Sequence, residues 1–141
     1  MRRAWNDELV ITGQICPYCG QRTDVEHQSL VYGDKKFGVD KGLIRICLPC
    51  DAYTSCDKFG KTRASLARKE LRQIRMKTHN VFDKIWQKGL MTRSEAYKWL
   101  CDRMGIEDKY CHIGFFDEYK CYRVIEHSES FLIENQKLFD R

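Results

Sequence analysis

Two short words recur in this chain, Cys16-Pro17-Tyr18-Cys19 and Cys47-Leu48-Pro49-Cys50. Each C-x2-C places two thiols on one tight turn, close enough to hold a single ion together. Two such knuckles supply the four soft ligands that tetrahedral Zn2+ favours. The 27 residues between them leave room for a strand, a turn and a second strand. Gly20, directly after the first pair, lets that turn close over the metal. With all four ligands drawn from protein, the site is closed: it contributes to folding and keeps no open coordination position for catalysis. One structural zinc ion on Cys16, Cys19, Cys47 and Cys50 is the expected cofactor.

The competing use of cysteine is the disulfide. The chain has eight cysteines in 141 residues, and its start, Met1-Arg2-Arg3-Ala4-Trp5, carries no long apolar segment of the kind a secretory signal needs. A reducing, cytoplasmic setting is therefore expected, where disulfides rarely persist. No apolar run approaches the ~18 residues of a membrane span, so no membrane partner is expected. Cys56, Cys101, Cys111 and Cys121 lack paired spacing and read as buried thiols. A second metal site from Cys56, His79, Cys111 and His112 stands as an alternative.

The length suits a single domain over residues 1–141, with a zinc-binding β unit over 8–57 and a helical part over 64–141. Strands are expected at Leu9–Thr12 with Ile15, at Ser29–Tyr32 before the Gly33-Asp34 turn signal, and at Leu43–Ile46 entering the second knuckle. From Ser65 to about Gln87, Ala67, Leu71, Ile74, Thr78, Val81 and Ile85 trace one helical face, with Ser65 as N-cap and Gly89 as stop. Thr92-Arg93-Ser94-Glu95 is a capping box that opens a helix through Met104, ended by Gly105 and buried along Tyr97, Leu100, Cys101 and Met104. Asp117 caps one or two further helices reaching about Phe139, with Ser128 and Ser130 as points of interruption. The fold class that results is α+β: an N-terminal zinc ribbon or treble-clef β-hairpin unit packed against a C-terminal helical bundle.

Charge is distributed unevenly. The formal net charge is +5, yet residues 58–103 carry +9 and the remainder −4. Arg68, Arg72, Arg75 and His79 follow at helical spacing beside the apolar face, and Phe82 and Trp86 prolong the stripe. Lys58, Lys61 and Arg63 lie in the loop feeding it. Cations flanked by aromatics suit a phosphate backbone and stacked bases, so nucleic acid is the first partner expected. A protein with an acidic face is the alternative partner. His79 and Asp83, four apart on the helix, read as a structural pair, with an acid–base site beside Arg75 as the lesser alternative.

Several linked words resemble a known family. Cys47-Leu48-Pro49-Cys50-Asp51-Ala52-Tyr53 is followed by Leu71-Arg72, Arg75, His79, Phe82-Asp83 and Trp86, then by Glu95-Ala96-Tyr97-Lys98-Trp99-Leu100 and Cys111-His112-Ile113-Gly114. Over roughly residues 14–125 these resemble small bacterial and phage zinc-finger-containing proteins of unknown function. The resemblance implies a zinc-binding module and no established activity. Thr54-Ser55-Cys56-Asp57-Lys58 stands where that family's pattern has a glycine-containing turn and Cys-His-Lys.

A second resemblance carries an enzymatic alternative. Val25-Glu26-His27 lies between the knuckles much as in nucleases of the His-Asn-His metal fold. There His27 would act as general base and Glu26 would help hold a divalent ion at the scissile phosphate. The orienting Asn of that scheme has no counterpart, since none occurs between Asn6 and Asn80.

Overall fold

The computed structural model describes residues 7–33 and 42–136, which form an α+β fold in two compact units, Met1–Glu70 and Leu71–Arg141. Asp34 of the expected turn and Phe139 at the expected helix end lie outside the described residues.

The first unit opens with a single helical turn, α1 (Glu8–Ile11), where a strand was expected. Asp7 decides this: its carboxylate accepts the Leu9 N–H at 2.8 Å as an N-cap, and the turn buries Val10 and Ile11. A three-stranded antiparallel sheet follows in the order β1 (Asp24–His27), β2 (Leu43–Cys47), β3 (Ala52–Cys56). The register pairs Val25 with Arg45, and Arg45 with Thr54. Ile44 and Ile46 alternate onto the buried face of β2 and pack with Tyr53 and Val31. Val31 belongs to α2 (Ser29–Tyr32), a second short helix in place of an expected strand. The expected strand at Leu43–Ile46 is present, and β1 and β3 are additional to the expectation.

The long helix starts later than its periodicity suggested. α3 spans Lys69–Phe82, and Ser65–Arg68 precede it in non-helical conformation. The cause is tertiary. Ala67 exchanges two backbone hydrogen bonds with Tyr53 of β3, at 3.1 and 3.2 Å, which satisfies its polar groups on the sheet and seats Leu66 in the core. Ser65 is buried rather than acting as an exposed cap.

In the second unit α3 gives way after Phe82 to α4 (Lys84–Gln87). α5 (Arg93–Met104) begins with the expected capping box, Thr92 and Glu95 bonding reciprocally at 2.9 and 3.1 Å, and ends at left-handed Gly105. Two 3-10 turns, Asp108–Tyr110 and Ile113–Phe115, lead to α6 (Glu118–Glu134). Asp117 caps α6 as expected, and the helix runs through Ser128 and Ser130 without a break. Phe82, Ile85, Leu100, Ile113, Phe116 and Val124 are among the buried side chains of the second unit.

Candidate metal centre and its basic surroundings

Each cysteine pair occupies a turn. The first lies inside a small hairpin closed by the Ile15–Arg22 bridge, and the second joins β2 to β3. In the first turn the Gly20 N–H donates to the Cys16 carbonyl at 2.9 Å, and the Tyr18 N–H points at the Cys16 Sγ at 3.4 Å. In the second the Asp51 N–H donates to the Leu48 carbonyl at 3.1 Å. The residue after each pair is left-handed: Gly20 at φ 79° and Asp51 at φ 52°. Both turns need this reversal to close. Glycine supplies it without steric cost, and Asp is one of the few other residues that tolerate it.

These turns bring the four sulfurs within 4.8 Å of one another, with Cys19 and Cys47 3.6 Å apart. A tetrahedral ion with Zn–S bonds of ~2.3 Å needs sulfurs about 3.8 Å apart, so the group fits one zinc. Cys16 and Cys47 are buried with Ala52 and Leu66, and Tyr18, Cys19 and Cys50 pack on them. Burial pushes the Cys16 and Cys47 thiols above their ordinary pKa. At Cys19 burial acts in the same direction but is outweighed by the Gln21 N–H and the neighbouring thiols, and the pKa falls. Among the described residues no other group of three or more His, Cys, Asp or Glu gathers its ligand atoms so closely.

The remaining sequence-selected residues divide sharply. Lys58, Lys61 and Arg63 are exposed. Arg68 is exposed but engaged: its Nε donates to the Cys50 carbonyl at 3.0 Å, and its guanidinium lies 4.4 Å from the centre of the Tyr18 ring. The Tyr18 hydroxyl in turn accepts the Arg68 N–H at 3.1 Å. Arg68 therefore touches both knuckles, through the Cys50 carbonyl of one and Tyr18 of the other. Arg72 is half-buried on α3.

Arg75 departs from the expectation. It is 8% exposed, and its Nε and Nη2 both donate to the Phe116 carbonyl, at 3.1 and 3.0 Å. The buried face of α3 is Leu71, Arg75, Thr78 and Phe82, so Arg75 stands in the core and not on a contact surface. Phe82 is likewise fully buried, edge-on to Tyr97 at 4.9 Å, and does not prolong an exposed stripe. His79 meets Asp83 at 3.7 Å, the contact their spacing of four predicts, and Asp83 also accepts the Trp86 indole N–H at 3.2 Å.

His27 and Glu26 sit on β1, where every residue is exposed. The His27 Nδ1 accepts the Ser29 backbone N–H at 3.1 Å, and the Ser29 hydroxyl lies 2.9 Å from it. Successive strand residues point to opposite faces, which separates Glu26 from His27. Of the alternative second metal site, Cys111 is buried with its thiol against that of Cys101, and His112 is exposed with its ring edge-on to Phe115. Cys101, Asp108, Cys111 and His112 share the wall of a cavity of about 400 Å³. The pairing of Cys101 with Cys111 was not foreseen, because their spacing of ten carries no motif.

A β-sheet unit whose two hairpin turns gather four thiols around one zinc-sized centre, followed by helices, defines a zinc-stabilised module. The chain belongs to the family described as a zinc-finger-containing domain, which it matches over residues 12–131. No curated protein and no solved structure matches it significantly. Among the described residues no helix is long and apolar enough to cross a membrane.

Proposed function

We propose that this zinc-stabilised module binds nucleic acid through an exposed basic surface and performs no chemistry on it. The observation that carries the reading is the concentration of charge, +9 within residues 58–103, with Lys58, Lys61 and Arg63 exposed in the segment just past β3. Arg68 and Arg72 border that segment in sequence, and His79 lies further along α3. Zinc holds the hairpins that carry the segment, so it acts as scaffold.

The test is fluorescence anisotropy with labelled DNA and RNA oligonucleotides, single- and double-stranded, on zinc-loaded protein. Binding should weaken steeply with salt, each phosphate contact adding about −0.9 to the log–log slope on duplex DNA. Lys58→Glu, Lys61→Glu and Arg63→Glu together should abolish binding while one zinc per chain remains. No binding at low salt, or a flat salt response, refutes the proposal. Divalent-dependent cleavage lost in His27→Ala would favour the nuclease alternative instead. Capture of an acidic protein that survives nuclease treatment would favour a protein partner.

A further inference from the structure

The basic segment is built as a rigid tip. Residues 56–62 form a tight hairpin closed by the Cys56–Thr62 bridge and by hydrogen bonds between Asp57 N–H and Lys61 O at 3.0 Å and between Gly60 N–H and Asp57 O at 2.9 Å. The Asp57 carboxylate accepts the N–H groups of both Phe59 and Lys61, each at 2.9 Å. From the sheet, Arg45 of β2 donates its Nε to the Gly60 carbonyl at 2.9 Å. Gly60 is at φ 78°, and a Cβ there would lie 2.8 Å from the Arg45 guanidinium, so only glycine allows this clamp.

At the apex this clamped turn holds out Phe59, 81% exposed, with the Lys58 ammonium 5.1 Å from its ring centre. A single exposed apolar side chain is ordinary. This one differs in being held on a hydrogen-bonded turn whose two ends, Asp57 and Lys61, line a hollow of about 490 Å³. Thr54, Ser55 and Thr62 line that hollow together with Lys61 and Arg63. Asp57 lines it too, its Oδ1 accepting the two backbone N–H groups, so the hollow sets two cations against one carboxylate. Thr62 is buried with its hydroxyl turned to the Ile11 carbonyl at 3.5 Å, which leaves the Thr54 and Ser55 hydroxyls and the two cations to offer hydrogen bonds to a phosphate. The aromatic ring carried between Asp57 and Lys61 on that turn offers a face to a base.

We infer that the hairpin tip is a single-strand nucleic-acid subsite, in which Phe59 stacks on an unpaired base and the hollow receives the adjoining phosphate. In a duplex the bases are already stacked on each other and present no free face, whereas in a single strand each base offers its π-surface. The site therefore selects single strands. This rests on the nucleic-acid reading above and narrows it.

The experiment compares a fluorescein-labelled dT12 with a 12-base-pair duplex and with a 12-unit abasic oligonucleotide, using the full zinc-loaded chain. dT12 should bind more tightly than either. Phe59→Ala should weaken dT12 by about 5- to 150-fold, the worth of one stacked base, and Phe59→Tyr should restore it. Neither change should alter zinc content or the weaker binding to abasic and duplex probes. Lys61→Ala with Arg63→Ala should weaken all three probes. Equal affinity for duplex and dT12, with Phe59→Ala neutral, overturns the inference and leaves general nucleic-acid binding standing. Absence of binding to every probe overturns both.

Discussion

Arg75 makes two hydrogen bonds from one guanidinium to one carbonyl inside the second unit, and its replacement separates a structural role from a contact role. In Arg75→Met the aliphatic stem is roughly retained, but both N–H donors are lost and the Phe116 carbonyl loses both bonds inside the protein. Hydrogen bonds to charged groups are worth about 1.5–3 kcal/mol each, and an unsatisfied buried acceptor costs about 1–3. Because both bonds share a single acceptor they do not add fully, and a loss of about 2–3 kcal/mol is expected. For a cooperative unit of roughly 70 residues, 1 kcal/mol moves Tm by about 4–8 °C, so Arg75→Met should melt about 10–20 °C lower. Arg75→Lys, which keeps the charge but not the fork, should fall between. Far-UV circular dichroism against temperature reads this directly. A Tm within about 2 °C of the parent, accompanied by weakened nucleic-acid binding, would refute the burial argument and return Arg75 to the surface. The same reasoning makes Arg75→Glu a poor probe of binding, since it would place a carboxylate against the Phe116 carbonyl and destabilise the fold.

Removing zinc with a chelator, or replacing Cys47 with Ser, should unfold the hairpins of the first unit while leaving much of the helical signal, read by metal analysis together with near- and far-UV circular dichroism. One zinc per chain retained in Cys47→Ser would show that these four sulfurs do not form the site. Because burial raises the Cys16 and Cys47 thiols, they are protonated in the metal-free protein at neutral pH, so loading should release protons and weaken as pH falls. Asp57 gives a separate pH signature: the Lys61 N–H is the first cause holding its carboxylate below the ordinary range, and the Phe59 N–H adds to it. A depressed folded-state pKa contributes stability above the ordinary value, about 3.9, that is lost as pH falls through the folded one. Amide protection at Phe59 and Lys61, taken relative to the intrinsic exchange rate at each pH, should therefore fall below about pH 4, and Asp57→Asn, which does not titrate, should remove that dependence.

The short-range features were legible because their causes are local. C-x2-C with a following Gly20 encodes a metal turn within five residues, Thr92 and Glu95 cap α5 from three residues apart, and Asp117 caps α6 in the same way. What the tertiary structure alone decided depends on partners distant in sequence. Ser65–Arg68 satisfies helical periodicity, yet Ala67 is paired to Tyr53 and the helix waits until Lys69. Arg75 looked like one more cation of a surface stripe, and it is the Phe116 carbonyl, 41 residues on, that receives two of its N–H groups inside the fold. The exposed tip at Phe59 could not be read from periodicity, because its rigidity comes from Arg45 on a neighbouring strand. Local propensity chose the caps and the metal turns. Long-range satisfaction of polar groups chose which cations face solvent, and so which can meet a phosphate.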